Sequence, residues 1–344
     1  MPLPKPVYYP PFNVTRSSHA VITSRDLEAS RDFYEQVIGL VLTERDADTL
    51  YFRGLEEVCH HSLVIKRHDG EHQAEAIGFR VYTEEELDKA EHFYRSKGLP
   101  ARWIEVPHQG RTLLVSDPAG TPVQLCATMP TTPRLYTQFQ DFKGGAAMRF
   151  DHYQIQVPNV QEQTDFYAEM GFRISEYMAL DEKLIATFMF RKPGTQDIVF
   201  LENPGPRLHH FAYTVSDTHS IIRACDIAGN LGMGDIVERG PGRHGPAGVM
   251  FVYLRDPDGH RVELFCDHYL LIDIEVEPVG WDVRKPGLSL RWGLPPQECW
   301  FNETAAFSDV ATKELDHERG PLATLETYLA DKAVARAARA AKAK

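Results

Sequence analysis

The sequence predicts an α+β protein of two tandem domains, each built from paired βαβββ modules. Three observations lead there. The chain has 344 residues, enough for two ordinary domains. It contains an internal duplication. Within each copy, strand-like alternating runs are interleaved with helix-period runs that close on glycine.

The duplication sets SHAVITSRDLEASRDFYEQVIGLVLTE (18–44) on DHYQIQVPNVQEQTDFYAEMGFRISE (151–176). His19 pairs with His152, and Phe33-Tyr34 with Phe166-Tyr167, at one offset of 133 (152 − 19, 166 − 33). CHHSLVI (59–65) is set on LHHFAYTV (208–215), which makes His61 the counterpart of His210. DPAGTPVQLC (117–126) matches DPDGHRVELF (256–265), with Gln124 where the second copy has Glu263. Each copy opens on a strand containing its histidine. A helix follows, with Ser24 or Asn159 as N-cap and Gly39 or Gly171 after the last turn, and then three strands. A second unit repeats the pattern, its helix lying in TEEELDKAEHFYRSKGL (83–99) or HSIIRACDIAGNLGM (219–233). An open four-stranded module buries one face only, so pairing two of them encloses a pocket. The expected boundaries are 1–145, 146–285 and a C-terminal strap or lid with a basic helical tail, 286–344.

Composition narrows the function. With 43% apolar residues each half can fill a core. A net charge of −12 disfavours nucleic acid as a partner. The proline-rich start MPLPKPVYYPPF has no signal-peptide core and no run reaches membrane-span length, which predicts a cytoplasmic protein with no membrane partner. Five scattered cysteines without a C-x-x-C pair argue against disulfides and a thiolate zinc site, and read as buried thiols.

Side chains alternate across a strand, so RFDHYQIQV places His152, Gln154 and Gln156 on one face, with Tyr153, Ile155 and Val157 on the other. In LHHFAYTV, His210 faces the hollow and His209 faces away. In HRVELFC, Val262, Leu264 and Cys266 take the core side and leave Glu263 opposite. Taken singly, each histidine reads as a hydrogen-bonded core residue, and Glu263 as the partner of an arginine. Taken in register on one template, two histidines and a carboxylate form a facial triad for a divalent metal, which neutralises the buried anion. The first half lacks that anion and is expected to hold no metal.

These residues, with ERGPGRHGPAGVMFVYLRDPDGHRVELF (238–265), RFDHYQ and GPRLHHFAY, carry a resemblance over about residues 15–285. The chain resembles the type I extradiol catechol dioxygenases of the vicinal-oxygen-chelate superfamily (the glyoxalase/bleomycin-resistance/dioxygenase fold), in the homoprotocatechuate 2,3-dioxygenase branch. The resemblance implies Fe(II), or Mn(II), on His152, His210 and Glu263, and a catecholic substrate and O2 as reactants. It also implies a homo-oligomer, in that branch a tetramer. Tyr253 falls on a tyrosine that bonds the bound catecholate, His244 on a pocket histidine, and Arg239 on an arginine near the ring substituent. Three positions depart from the pattern. Gln196, fourteen positions before His210, stands where the family has an acid/base histidine. Gln154 replaces an asparagine and Phe188 a tryptophan. Glutamine hydrogen-bonds but does not take up and return a proton at neutral pH. The expected function is extradiol ring cleavage in aromatic catabolism. The alternatives are a metal-dependent oxygenase with modified chemistry, and a non-catalytic small-molecule-binding relative. Arg284 and Arg291 are further, looser candidates for substrate contact.

Overall fold

A computed structural model describes residues 2–284, 290–318, 320 and 322–342; residues 286–289 of the expected strap and the last two of the tail lie outside the described residues. The first half runs β1 (Val14–Ser24), α1 (Leu27–Asp32), β2 (Val41–Arg45), β3 (Thr49–Arg53), β4 (Leu63–Arg67), then β5 (Gln73–Val81), α2 (Glu84–Ser96), β6 (Ala101–Ile104), β7 (Thr112–Ser116) and β8 (Pro122–Cys126). The second half repeats it: β9 (Arg149–Val157), α3 (Val160–Glu169), β10 (Arg173–Leu180), β11 (Lys183–Phe190), β12 (Ile198–Glu202), then β13 (Arg207–Thr214), α4 (Thr218–Asn230), β14 (Val237–Arg243), β15 (Met250–Arg255) and β16 (Arg261–Cys266). Both halves therefore contain two βαβββ modules.

Within each module the first and last strands pair in parallel, β1 with β4 and β5 with β8. The two modules join through their first strands, antiparallel. The first half is thus ordered β2-β3-β4-β1-β5-β8-β7-β6, and the second β10-β11-β12-β9-β13-β16-β15-β14. Beyond them, β17 (Val279–Asp282) extends the β10 edge in parallel. After α5 (Cys299–Asn302), the short β18 (Ala305–Phe307) pairs with both β13 and β5 and ties the halves together. The basic tail forms α6 (Leu325–Lys342). No described helix is long and apolar enough to cross a membrane.

Local signals explain most boundaries. Asn159 caps α3 by accepting from Glu162 N. Asp26 rather than Ser24 caps α1, accepting from Glu28 N and Ala29 N, because β1 runs on through Ser24; such a cap contributes about 1 kcal/mol. Gly39 and Gly171 both end their helices at φ +82°, where a Cβ is strained. Cys59, Cys126 and Cys266 are buried, but Cys225 and Cys299 are partly exposed, so the expectation of five buried thiols holds for three.

The halves share one apolar core rather than having one each: Phe52, Phe79, Tyr153, Phe200 and Leu264 belong to a single buried cluster. Phe79 stands edge-on to Tyr153 and Tyr167 across the junction. Two hydrogen bonds cross it reciprocally. Tyr34, on the turn that continues α1, donates to Asp256 Oδ2 at 2.9 Å, and its counterpart Tyr167 donates to Asp117 Oδ2 at 3.3 Å. Each aspartate is the first residue of a DP-x-G turn and also accepts backbone N–H groups of its own turn.

Burial pushes the Asp117 and Asp256 carboxyls up to about 6, against the pull of those hydrogen bonds. A raised folded-state value means the folded chain holds a proton that the unfolded chain releases between about pH 4 and 6, so this contribution to stability declines as pH rises through that window. Tyr34 stabilises the ionised form. Replacing it by phenylalanine should therefore cost about 1 kcal/mol at pH 8 and less at pH 4.5, measured by denaturant titration at both pH values.

Candidate metal centre

Strand register lines up the second half's functional side chains. His152 on β9 is opposite Ala212 on β13, Ala212 opposite Glu263 on β16, Glu263 opposite Tyr253 on β15, and Tyr253 opposite Arg239 on β14. Residues directly opposed across strands share a face, so these five positions form one rung with its side chains on the same side. An adjacent rung carries Phe188, Val199, Gln154 and His210. The sheet thereby brings together residues that are up to 111 positions apart (263 − 152).

His152 Nε2, His210 Nε2 and Glu263 Oε2 form a nearly equilateral triangle, with edges of 3.2, 3.3 and 3.4 Å. All three residues are at most 2% exposed. Metal–nitrogen bonds of ~2.1 Å meeting near a right angle place neighbouring donors about 3 Å apart, so the triangle fits one small divalent ion. The rings are splayed, with centroids 5.5 Å apart and planes at 79°, as donors converging on one point require. The hydrogen bonds behind them fix the tautomers. His152 Nδ1 lies 2.9 Å from Asp151 Oδ2, which only accepts, so the proton belongs on Nδ1. His209 Nε2 lies 2.8 Å from the Trp300 carbonyl and must donate there; its Nδ1 then accepts from His210 Nδ1 at 2.8 Å. In both metal-facing rings this leaves Nε2 with a free lone pair.

Charges agree with this arrangement. Burial alone would raise the Glu263 carboxyl, but the imidazoles of His152, His210 and His244 that face it hold it well below the usual carboxylate range. Burial pushes His210 down to about 4, against its bond to Glu263. Burial also lowers His152, but Asp151 and Glu263 outweigh it and raise that imidazole. Glu263 makes no ion pair with an arginine among the described residues. Arg261, the nearest in sequence, is taken by Glu238 at 2.5 Å.

His244 Nε2 lies 2.9 Å from Tyr253 OH and 3.7 Å from Glu263 Oε1, and its ring stacks on Phe251 at 3.8 Å. Arg239 is buried, with its guanidinium 4.5 Å from the Trp300 ring, and its Nε and Nη2 find no hydrogen-bond partner among the described residues. Gln196 is 6% exposed; its amide nitrogen sits 3.3 Å from His152 Nε2, and its Oε1 has no partner among the described residues. Gln154 and Phe188 lie half-buried on their rung. Arg284 lies apart from this group, paired with Asp282 and Asp181 at the surface, and the Arg291 guanidinium lies over Trp281. Sequence reasoning missed Asp151, His209 and Trp300. The first two adjoin predicted ligands in RFDHYQ and LHHF, but Trp300 has no local signal.

The first half follows the same template with different chemistry, and the register corrects one pairing. His19 is opposite Gly78, and Gly78 opposite Gln124, as His152 is to Ala212 and Ala212 to Glu263. Val21 is opposite Ala76 as Gln154 is opposite His210, so the counterpart of His210 is Ala76, not His61. Ala20 pairs with Leu63 and Tyr153 with Ile198, which puts His61 at the position of Gln196. The two HH pairs look alike in sequence, but one precedes β4 and the other lies in β13. Two amides fill the space: Gln124 Oε1 is 2.9 Å from His19 Nε2, and Gln109 Nε2 reaches His19 at 3.1 Å and His61 at 3.4 Å. A second group of donors, Glu44, His60 and His108, lies nearby. There the His60 and His108 rings are stacked at 3.9 Å and 4°, so their lone pairs run side by side and do not converge.

The fold and this centre together define a metal-dependent oxygenase of the paired-module class. The Glyoxalase/Bleomycin resistance protein/Dioxygenase superfamily profile matches residues 16–125 and 149–264, and the chain belongs to that superfamily. Among curated relatives it is 29% identical, over 82% of its length and 94% of theirs, to the manganese-dependent 2,3-dihydroxybiphenyl 1,2-dioxygenase of Geobacillus genomosp. 3. It is 26% identical, over 89% and 97%, to the metapyrocatechase of Geobacillus stearothermophilus. Among solved structures it is similar to homoprotocatechuate 2,3-dioxygenase of Brevibacterium fuscum in its anaerobic complex with 3,4-dihydroxyphenylacetate, with TM-score 0.85 and 33% identity over 91% of this chain and 99% of that one. A variant of the same enzyme with glutamine in place of one histidine matches with TM-score 0.87 and 32% identity, over 92% of this chain and 90% of that one.

Titration of the metal-free protein with Mn(II) should give one ion per chain. Glu263→Gln should weaken binding at least tenfold, whereas Gln109→Ala, which opens the amide-filled counterpart, should leave the ratio at one.

Proposed function

We propose that the chain opens the ring of a substituted catechol beside its diol, consuming O2, with Fe(II) or Mn(II) held by His152, His210 and Glu263. The observation that carries this reading is the triangle of two lone pairs and one carboxylate oxygen, set on a rung with Tyr253 and Arg239. The ion, when bound, supplies Lewis acidity and brings catechol and O2 into contact. The remaining work belongs to the side chains of the second half, 146–285, with Trp300 of the C-terminal segment 286–344 packed against them, and the first half, 1–145, is assigned no metal.

Proton handling is assigned to His244. Gln196 cannot exchange a proton at neutral pH. Burial and the neighbouring Glu263 hold the Tyr253 phenol well above its ordinary value, so it remains protonated and acts as a hydrogen-bond donor to a substrate oxygen. His244 Nε2, 2.9 Å from that hydroxyl, is left to take up and return the catechol proton by way of the phenol, which passes its own proton to Nε2 as it accepts the catechol's. Gln196 directs its amide N–H toward the centre beside His152, where it hydrogen-bonds an oxygen species without protonating it. Gln154 and Phe188 bound the pocket on the adjoining rung. Arg239 defines the substrate class: a buried guanidinium with two nitrogens unmatched by protein calls for an anionic substituent, such as a carboxylate on the ring's side chain.

Anaerobic addition of a carboxylated catechol to Fe(II)-loaded protein, followed by O2, should give a yellow ring-opened product whose mass includes both oxygen atoms. Arg239→Met should lower kcat/KM about 10- to 100-fold for carboxylated catechols and far less for unsubstituted catechol, since a charge-assisted hydrogen bond contributes about 1.5–3 kcal/mol. Gln196 supports a second reading, oxygen insertion without ring fission. Product mass separates the two, and on the first reading Gln196→His should raise the rate of fission.

A further inference from the structure

Behind His152 lies a buried group of charges that the reaction assigned above does not use. Lys192 forms ion pairs with both of its aspartates, Asp151 and Asp197. Its ammonium donates to the Asp151 carbonyl at 2.7 Å, the Gln196 carbonyl at 2.5 Å and Asp197 Oδ1 at 3.0 Å, and stands 3.5 Å from Asp151 Oδ1. The three side chains are nearly sealed, with Lys192 15%, Asp151 1% and Asp197 0% exposed. Asp197 is satisfied without the Lys192 ammonium: Oδ1 accepts from Ser17 N at 2.6 Å, and Oδ2 from Arg191 N at 2.6 Å and Lys192 N at 3.0 Å. Asp151 is not. Its Oδ2 faces His152 Nδ1, while its Oδ1 has no hydrogen-bond partner among the described residues and lies 3.5 Å from the Lys192 ammonium.

From this geometry we infer that Lys192 is a positioning residue, which acts through Asp151 to fix the orientation and donor strength of the His152 imidazole toward the metal. The inference rests on the metal reading of His152, His210 and Glu263. The physics has two parts. A carboxylate on Nδ1–H locks the tautomer and increases the basicity of the opposite nitrogen, and loss of such partners typically weakens metal binding 10- to 100-fold. That carboxylate in turn needs a fixed position, and the ammonium, bonded to the Asp151 carbonyl and 3.5 Å from its otherwise unpartnered Oδ1, supplies it. Lys192 grips the main chain at Asp151 and at Gln196, so one side chain sets the strand entering the first metal donor and the loop carrying the amide beside it. Ser17, from the half expected to hold no metal, completes the clamp by holding Asp197 and donating to the Asp151 carbonyl.

The test uses the full chain, titrated with Mn(II) by the EPR signal of the free ion, and with Co(II) by its visible absorption bands. Asp151→Asn should bind Mn(II) 10- to 100-fold more weakly and shift the Co(II) bands, while the melting temperature of the metal-free protein changes little. Lys192→Met should weaken binding about tenfold, and Lys192→Arg should restore it. In the Asp151→Asn background, Lys192→Met should have no further effect, because its path to the metal is already cut. Should Lys192→Met alone fail to fold, with its buried carboxylates uncompensated, the Asp151→Asn single variant and the double variant still decide. Wild-type affinity and spectrum in Asp151→Asn, or additive losses in the double variant, overturn the inference. Failure of the wild-type chain to bind either ion at all would instead sink the metal reading itself.

Discussion

A carboxylate shut away from water is tolerated only where fixed positive charge or donors surround it, and Glu263 is such a group in the middle of a strand. The imidazoles of His152, His210 and His244 lie around it, and no guanidinium pairs with it among the described residues. The arrangement of the second half serves this constraint. The parallel pairing of β13 with β16 sets Glu263 one strand away from the histidine-bearing pair β9–β13, and the antiparallel pairing with β15 brings Tyr253 to its other side. A shift of one residue in any of these registers would turn Glu263 into the apolar core beside Leu264.

Orientation behind the donors matters as much as the donors. The His210 ring is set by a relay through His209 to the carbonyl of Trp300, a residue of the strap. Trp300 also stacks between Arg239 and Arg261, each 4.5 Å from its ring, and stands edge-on to Tyr253 at 4.4 Å. Trp300 is therefore part of the foundation of this group: its carbonyl fixes the tautomers of His209 and His210, and its ring packs against Arg239 and Tyr253.

Much of this was legible in the sequence, because strand alternation has period two and a repeat supplies a second reading of each position. The faces of His152, His210 and Glu263 follow from counting along RFDHYQIQV, LHHFAYTV and HRVELFC. The contrast between Gln124 and Glu263 follows from laying one DP-x-G turn on the other. The pairing of His61 with His210 went astray because a tandem HH is a composition cue, whereas equivalence depends on which strand follows it. Long-range partners left no local trace. The link between Asp151 and Lys192 spans 41 positions (192 − 151), and that between His209 and Trp300 spans 91 (300 − 209). The cap of α1 was displaced by two residues, from Ser24 to Asp26, because sheet pairing carried β1 past the point where local preference would have ended it.

The reciprocal Tyr34–Asp256 and Tyr167–Asp117 bonds give the duplication an evolutionary reading. Each copy anchors a turn that belongs to the other, and the apolar seam around Phe79 and Tyr153 has no solvent-compatible surface on either side. The amide-filled copy has Ala76 and Gln124 where the other has His210 and Glu263, yet it shares the other's core. Substitutions in its hollow leave the seam untouched, whereas substitutions in the seam reach both copies at once.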